Sequence, residues 1–600
     1  MRAKCVSYSG CAVLLAVTWM SAQVPSAEVP ACNPKTAQLM VEQQVTQSKS
    51  VTARPKRIKI LLASADFLWL LDQPTARAYF IEAFATAKDH FAEKGFEKTT
   101  SRSGSGTASV AAILPDLRLD VIRAASKRDA DLAKKFTEDL LAEYEKTAKD
   151  RTDQFDQTRE QRDLLRLASE TAKTNPELSR YLFRRVMRYP LIQEWAWALS
   201  NASRADQAFA DAIYAEALQS YRNETPQRML HLSAYPFGST ATFGQGRTTY
   251  TIAVGPEFVP DPALQRLFLE TYFARIASFA SNPEEMNRPP QPNSLPEAVL
   301  MVIALRELEP IIVGRLPDML QRFSVARSQA NALLTAEMRK DIDGLERSSA
   351  EGALSFEERI KRLEEADSKG TLTDSMIGTM IFPGRLRTDE HFKLLEPWLG
   401  KIKDEKLRGH VTSYFWFLRA QLAIKEDRLA DAEKMAAKVV EIDHRALVLF
   451  EISKKQLDSA NDAGSAFDTL NNVSKLTRTA PNSVAKVQIL LSLSQMYERV
   501  SHSLALDELS EAVRVINQLE DPEIFQNWLT RQIIGKDFAV MATIALPGSN
   551  FDGLFAELGS KDFEMAVANA RSLNDRYFRT IGVIAVASNC VRPRPASPTK

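Results

Sequence analysis

Four residues spaced 39 apart constrain this chain more than anything else in it: Asp404, Asp443, Asn482 and Asp521. Each is of a type that caps helix N-termini, where a side-chain oxygen satisfies a backbone N–H left without a partner inside the helix. Pro522, after Asp521, suits a first helical position. Three residues past each cap the chain is apolar (Leu407, Ala446, Ala485, Ile524), and seven past it is apolar again (Val411, Phe450, Ile489, Trp528). Those offsets lie one turn apart on one helix face. The second and third copies also match later, through Leu470/Leu509, Val473/Ala512 and Leu476/Val515. A helix pair of this size cannot bury its apolar side alone, whereas stacked neighbours share one continuous core. The expected fold is therefore all-α: an α-solenoid of antiparallel helix pairs. Arg408, Lys486 and Arg579 each stand four residues after a capping group (Asp404, Asn482, Asp575), where a base can bridge back to the cap and fix the helix start.

The chain has 600 residues, too many for one core at about 150 residues per domain. Its 22 glycines fall well below the usual ~7% and disfavour a turn-rich β protein. From Lys56 onward Ile58, Leu61, Leu62, Ala65, Leu68 and Trp69 form one apolar stripe, Asp72-Gln73-Pro74 breaks it, and Ala76, Tyr79, Phe80, Ala83, Phe84 and Ala87 form the next. Ser101 to Gly106 reads as a flexible break. Residues 233–262 depart from this grammar: Tyr250, Ile252 and Val254 alternate with Thr249, Thr251 and Ala253 behind Gly244-Gln245-Gly246, as a small irregular or β-hairpin insertion would. The division that follows is a signal peptide (1–22), a disordered N-terminal segment (23–55) with a short helix near Thr36 to Gln47, and an N-terminal helical-repeat region (56–280). A Pro-rich linker (281–298), a C-terminal helical-repeat region (299–590) and a disordered tail (591–600) complete it. Residues 521–590 read as more helices of the same kind.

Arg2 and Lys4 precede an apolar run from Cys11 to Ala22, and Ser21-Ala22 offers small residues for cleavage. That run is shorter than the about 20 residues a bilayer span needs. The reading is a secreted or periplasmic protein with no transmembrane segment after cleavage. Of four cysteines, Cys32 and Cys590 would remain. An oxidising compartment permits a disulfide between them, provided their Cα atoms come within about 7 Å. An open solenoid keeps its ends apart, which favours two unpaired thiols over the pair.

Within residues 413–446, Trp416, Ala420, Ala432, Ala436 and Val439 stand at the spacings of a large-small-small-large-small order. In that order the segment resembles a tetratricopeptide repeat. Ala436 is smaller than the family's residue there, Arg419 and Ala423 replace a Leu and an aromatic, and His444 stands in place of Pro. The resemblance covers one repeat well and the others loosely, and it extends more broadly to exported bacterial helical-repeat proteins of unassigned activity. It implies binding of protein segments on a concave face and brings no catalytic residue with it.

Chemistry-bearing motifs are absent from the sequence. The six histidines form no H-E-x-x-H, H-x-x-x-H or Cys/His cluster, so no metal site is expected. No phosphate cradle, dinucleotide fingerprint or nucleophile elbow occurs, so neither cofactor nor catalytic residue is assigned. A net charge of +1 argues against nucleic acid as a partner. Two places suit an interaction surface: the insertion, through Phe237, Phe243 and Tyr250, and the basic cluster Arg184, Arg185 and Arg188 near Trp195 and Trp197. The function expected is an exported non-enzymatic scaffold binding a protein or peptide. The alternative is a cell-wall glycan-acting enzyme whose helices ring the substrate.

Overall fold

The structure is a computed structural model. It describes residues 32–95, 98–102, 109–113, 116–147, 154–237, 241–243, 249–251, 258–259, 261–282, 295–342, 354–382, 384–458, 462–525, 528–548 and 550–591. The first half builds α1 (Pro34–Gln47), α2 (Arg54–Leu68), α3 (Gln73–Lys94), α4 (Leu117–Ser126), α5 (Ala130–Thr147), α6 (Gln154–Thr171), α7 (Pro176–Val186), α8 (Glu194–Ala205), α9 (Gln207–Ser220), α10 (Pro262–Ala280), α11 (Glu297–Arg315) and α12 (Leu320–Ala332). The second builds α13 (Phe356–Ser368), α14 (Asp389–Leu399), α15 (Glu405–Lys425), α16 (Leu429–Ala436), α17 (Ile442–Asp458), α18 (Ala463–Thr479), α19 (Val484–Glu498), α20 (His502–Ile516), α21 (Phe551–Lys561), α22 (Phe563–Arg571) and α23 (Arg576–Ala587). One-turn helices lie between some of these. Many helices start on a capping side chain, including Asn33, Asp72, Asp404, Ser483 and Asp575.

Successive helix pairs stack as a solenoid. The first helices of the pairs touch in turn, α2 to α4 to α6 to α8 and α15 to α17 to α19 to α21, and each of α3, α5, α7, α9, α16, α18 and α20 packs on its own partner. Val411, Phe450 and Ile489 are fully buried at matching places, as is Ala446, and Leu407 is nearly so; Ala485 is only partly covered. The layers from residue 58 to 342 share one core and those from 356 to 586 another. Both reach α2, which is buried on several sides: Ile58, Leu61 and Ala65 face the first core, Ile60 the second. Phe67 and Leu68 join a third small core with α1 and α23. The single stripe expected for α2 is thus only part of what it buries.

The two ends of the described part of the chain meet, and this is the main correction to the sequence reading. Helix α1, the short helix expected near Thr36 to Gln47 in an otherwise disordered segment, is capped by Asn33 with Pro34 in its first turn and buries Ala37, Met40, Val41 and Val45. It packs on α23, as does α2. Lys56 of α2 pairs with Asp521 (2.5 Å) and Asp575 (3.2 Å), and Lys59 lies over the Phe525 ring. Cys32 and Cys590 are joined in a disulfide, with Cα atoms 5.1 Å apart. The premise that an open array separates the cysteines fails because the array is not open at this end. The N-terminal part of the 23–55 segment, the middle of the 281–298 linker and nearly all of the 591–600 tail lie outside the described residues.

The fourth 39-residue copy is not a helix pair. Asp521 has a positive φ of 44° and heads no helix among the described residues; its carboxylate serves Lys56 instead. Ile524 is buried, but Trp528 is 56% exposed and starts a strand. Strands β5 (Trp528–Ile534) and β6 (Ala539–Ala545) form an antiparallel hairpin where more helices were expected. Two smaller hairpins occur among the described residues: β1 (Lys98–Arg102) with β2 (Ser109–Ile113), beside the expected break, of which Ser103 to Gly106 lie outside the described residues, and β3 (Ala241–Phe243) with β4 (Thr249–Thr251), in the expected insertion. Two further caps differ from the sequence reading. Ser483, not Asn482, caps α19, and Asp443 lies inside α17.

The bases four residues after the caps do not bridge back to them. Arg408 donates to the Ile402 carbonyl (3.2 Å), Lys486 to Ala480 (2.9 Å) and Arg579 to Leu573 (2.8 Å). Each reaches six residues back, while Asp404 and Asp575 accept from the first-turn N–H groups of Leu407 and Tyr577. The base therefore ties down the incoming chain rather than the cap.

Candidate functional site

The residues singled out in the sequence take separate tasks. Arg184 donates twice to Glu216 of α9 (2.7 and 3.0 Å), and Arg185 pairs with Glu145 of α5. These arginines staple α7 to its neighbours, so the cluster is spent within the fold; Arg188 is exposed just past the helix. Trp195 is fully buried and Trp197 is 42% exposed. Phe237 is buried, edge-on to Phe268, and is therefore a core residue rather than part of a surface. Phe243 pairs with Thr249 and Tyr250 with Thr242 in the β3–β4 ladder; their side chains lie outside the described residues. Of the sequence candidates, the structure joins Cys32 to Cys590.

Three polar constellations could be mistaken for catalytic ones. Ser413, His410 and Glu441 meet where α15 faces the start of α17. Ser413 donates to Glu441 and accepts from the Val440 N–H (3.0 Å), and His410 Nδ1 lies 3.2 Å from the same carboxylate. A nucleophilic serine must give its proton to a base, which a third group then orients. Here the carboxylate binds both partners and the histidine does not touch the hydroxyl, so the set is a clamp. Burial pushes the Glu441 carboxyl up, but the bonds from Ser413 and His410 outweigh it and hold it below its usual range.

Arg118 is completely buried, bound to Asp116 (2.7 Å) and to Glu143 (2.5 Å) with its guanidinium over the Phe91 ring. This satisfies a buried charge. In the next layer burial raises the Asp163 carboxyl to about 6 against the pull of Arg159, with Asp116 raising it further. Among the described residues no group of His, Cys, Asp and Glu could hold a metal ion.

The third constellation anchors the β5–β6 hairpin. Arg531 donates to both oxygens of Asp443 (2.9 and 2.8 Å), which is 2% exposed. Burial alone would raise the Asp443 carboxyl; His444 and Arg531 hold it at about 2. From this anchor the hairpin runs over α15 to the one-turn helix Asp374–Gly378. There the Phe538 ring fills the space a Cβ on Gly378 would need, 2.1 Å away, so only glycine fits.

The two faces of the hairpin differ sharply. Ile533, Phe538, Val540, Ala542, Ile544 and Leu546 are buried in the second core. The other face carries Trp528, Thr530, Gln532, Ile534, Ala539, Met541, Thr543 and Ala545, all exposed and none charged. Trp528, Ile534 and Met541 are 56%, 41% and 60% exposed. No third strand pairs with either edge among the described residues. Exposed apolar side chains in a contiguous patch, on a rigid element with open edges, are the features of a protein-contact surface. The sequence reading missed it because Trp528 and Ile534 face outward, which erased the polar-apolar alternation a strand normally shows.

No family model matches the chain, and no curated protein matches it in sequence. Among solved structures it is similar to a circular tandem repeat protein with novel repeat topology and enhanced subunit contact surfaces. The two chains are 12% identical over 92% of this chain and 97% of that one, with a TM-score of 0.13, so the account of the fold rests on the helices themselves. Among the described residues no helix is long and apolar enough to cross a membrane.

Proposed function

We propose that this chain is an exported, non-enzymatic helical-repeat scaffold that binds a protein or peptide partner, and that the outer face of the β5–β6 hairpin is the contact surface. The observation that carries this reading is the uncharged face holding Trp528, Ile534 and Met541, pinned to the array by Arg531 and Phe538. Aromatic and Met side chains are enriched where protein partners bind. Export rests on the basic and apolar residues between Arg2 and Ala22, and a disulfide between Cys32 and Cys590 suits an oxidising compartment. The test places a photo-crosslinking phenylalanine analogue at Thr543 in the living source cell, with one at Lys434 as control. A discrete protein adduct at 543 that disappears with Trp528→Ala supports the reading. No adduct, or one indifferent to Trp528, overturns it.

A further inference from the structure

A cavity of about 450 Å³ opens between α16, α17 and α18, lined by Glu433, Ala436, Ala437, Arg445, Leu449, Asn472, Lys475 and Leu476. Its size falls within the range of small-ligand sites, about 300–1,000 Å³. Its origin is legible in the repeat. Asn472 stands 39 residues after Glu433 and donates to it (3.4 Å), so the two occupy the same place in successive layers. By the same offset Ala436 and Ala437 correspond to Lys475 and Leu476. Two alanines where the next layer has two long side chains leave the gap.

The same comparison explains the charge. One layer further on, the counterparts of Asn472 and Lys475 are Glu511 and Arg514, and they neutralise each other: Arg514 Nε donates to Glu511 at 2.6 Å. In the cavity layer an amide takes the acid's place, and Lys475 is left without an ion pair among the described residues. Arg445 has none either, and its Nε is buried with no hydrogen-bond partner. A buried donor left unsatisfied destabilises the fold until a ligand or solvent group meets it. Two unpaired cations, one with an orphaned buried N–H, therefore face one apolar-floored cavity.

We infer that this cavity binds a carboxylate carried next to a secondary amide and a small apolar side chain, the chemistry of an N-acylated amino acid or of a peptide's C-terminal end. The planar fork of Arg445 matches a carboxylate, and Lys475 at the mouth adds a second charge. Ala436, Leu449 and Leu476 offer an apolar floor to the side chain. Glu433, with Asn472, accepts the ligand's amide N–H. A lone acid beside two bases leaves room for one negative charge and disfavours a dianion such as phosphate. The site is separate from the hairpin face, and its test is independent of the reading proposed for that face.

The experiment titrates the full mature chain with N-acetyl-alanyl-alanine, its C-terminal amide and inorganic phosphate, by calorimetry and ligand-observed NMR. The free acid should bind at least tenfold more tightly than the amide. Lys475→Met, at an exposed position, should weaken the acid several-fold and leave the amide unchanged. Ala437→Leu, which plugs the mouth, should abolish binding. Glu433→Gln should tighten the acid about two- to threefold by removing a like charge, an effect no structural defect would mimic. Trp528→Ala should change nothing, which separates this site from the hairpin. N-acetyl-alanine alone binding as well as the dipeptide would mark a free small acid as the ligand, and weaker binding a peptide end; both support the carboxylate site. Equal affinity for acid and amide, phosphate binding as well as the acid, no binding, or binding unchanged in Ala437→Leu would overturn it.

Discussion

Arg531→Met should release the β5–β6 hairpin while leaving the helical layers in place. Asp443 is 2% exposed and Arg531 42%. The Asp443 carboxyl sits at about 2 against an ordinary 3.8, a difference worth about 2 kcal/mol. Breaking a fully buried pair costs about 3–5 kcal/mol. Here water reaches the arginine and His444 still faces the carboxylate, so the expected cost is about 1–2 kcal/mol. Hydrogen exchange resolves such local opening without requiring the whole chain to unfold in one step. Amides of residues 528–534 and 539–545 should exchange about 5- to 30-fold faster, and those of α21 to α23 should not change. The sign with pH follows from a depressed folded value: the folded protein holds fewer protons than the unfolded one, so the stabilisation is complete above about pH 4 and is lost as pH falls through about 2. The difference between parent and variant should thus be flat from pH 7 to about 4.5 and shrink below that. Unaltered hairpin exchange at pH 7, or a loss of protection spread equally over α17, would refute the anchoring role of this pair.

Other outcomes test the seam and the buried acid. Cys32→Ser with Cys590→Ser opens a loop spanning 558 positions of sequence separation, and chain entropy puts the effect on complete unfolding at about 6 kcal/mol; chemical denaturation should show a lower midpoint, with α1 amides losing protection first. Lys56 is 22% exposed, and although burial lowers its pKa, Asp521 and Asp575 raise it above 10.5. Its stabilising contribution is complete below about pH 10.5 and fades as pH climbs past the folded value; melting curves between pH 9 and 12 should lose this slope in Lys56→Met. Asp163, raised to about 6, binds its proton more tightly when folded, so it costs stability increasingly from pH 4 to 6 and fully above. Asp163→Asn should raise the melting temperature at pH 8 and have little effect at pH 3.5.

What the sequence disclosed depended on whether the local pattern carried the information. Stacked layers were legible because Val411, Phe450 and Ile489 recur at fixed offsets and are all fully buried. The meeting of the ends was not, because it depends on how small rotations between layers accumulate. The residues off the main stripe of α2, Ile60 and Phe67, were its one local trace. The hairpin hid behind Trp528 and Asp521, which fit the repeat by spacing while their backbone does something else. For the candidate sites, the arginines at 184 and 185 looked available because Glu145 and Glu216 lie far away in sequence. The cavity at Ala436 was foreshadowed: that alanine had stood out as too small for its place.

The bridge between Cys32 and Cys590 also has a mechanical consequence. A pull applied through residues beyond the two cysteines is carried across a gap of 5.1 Å between Cα atoms, and the helical layers lie in a slack loop beside that short load path. The bridged protein should therefore transmit tension like a short inextensible link, keeping its folded layers unstretched until that one covalent bond gives way.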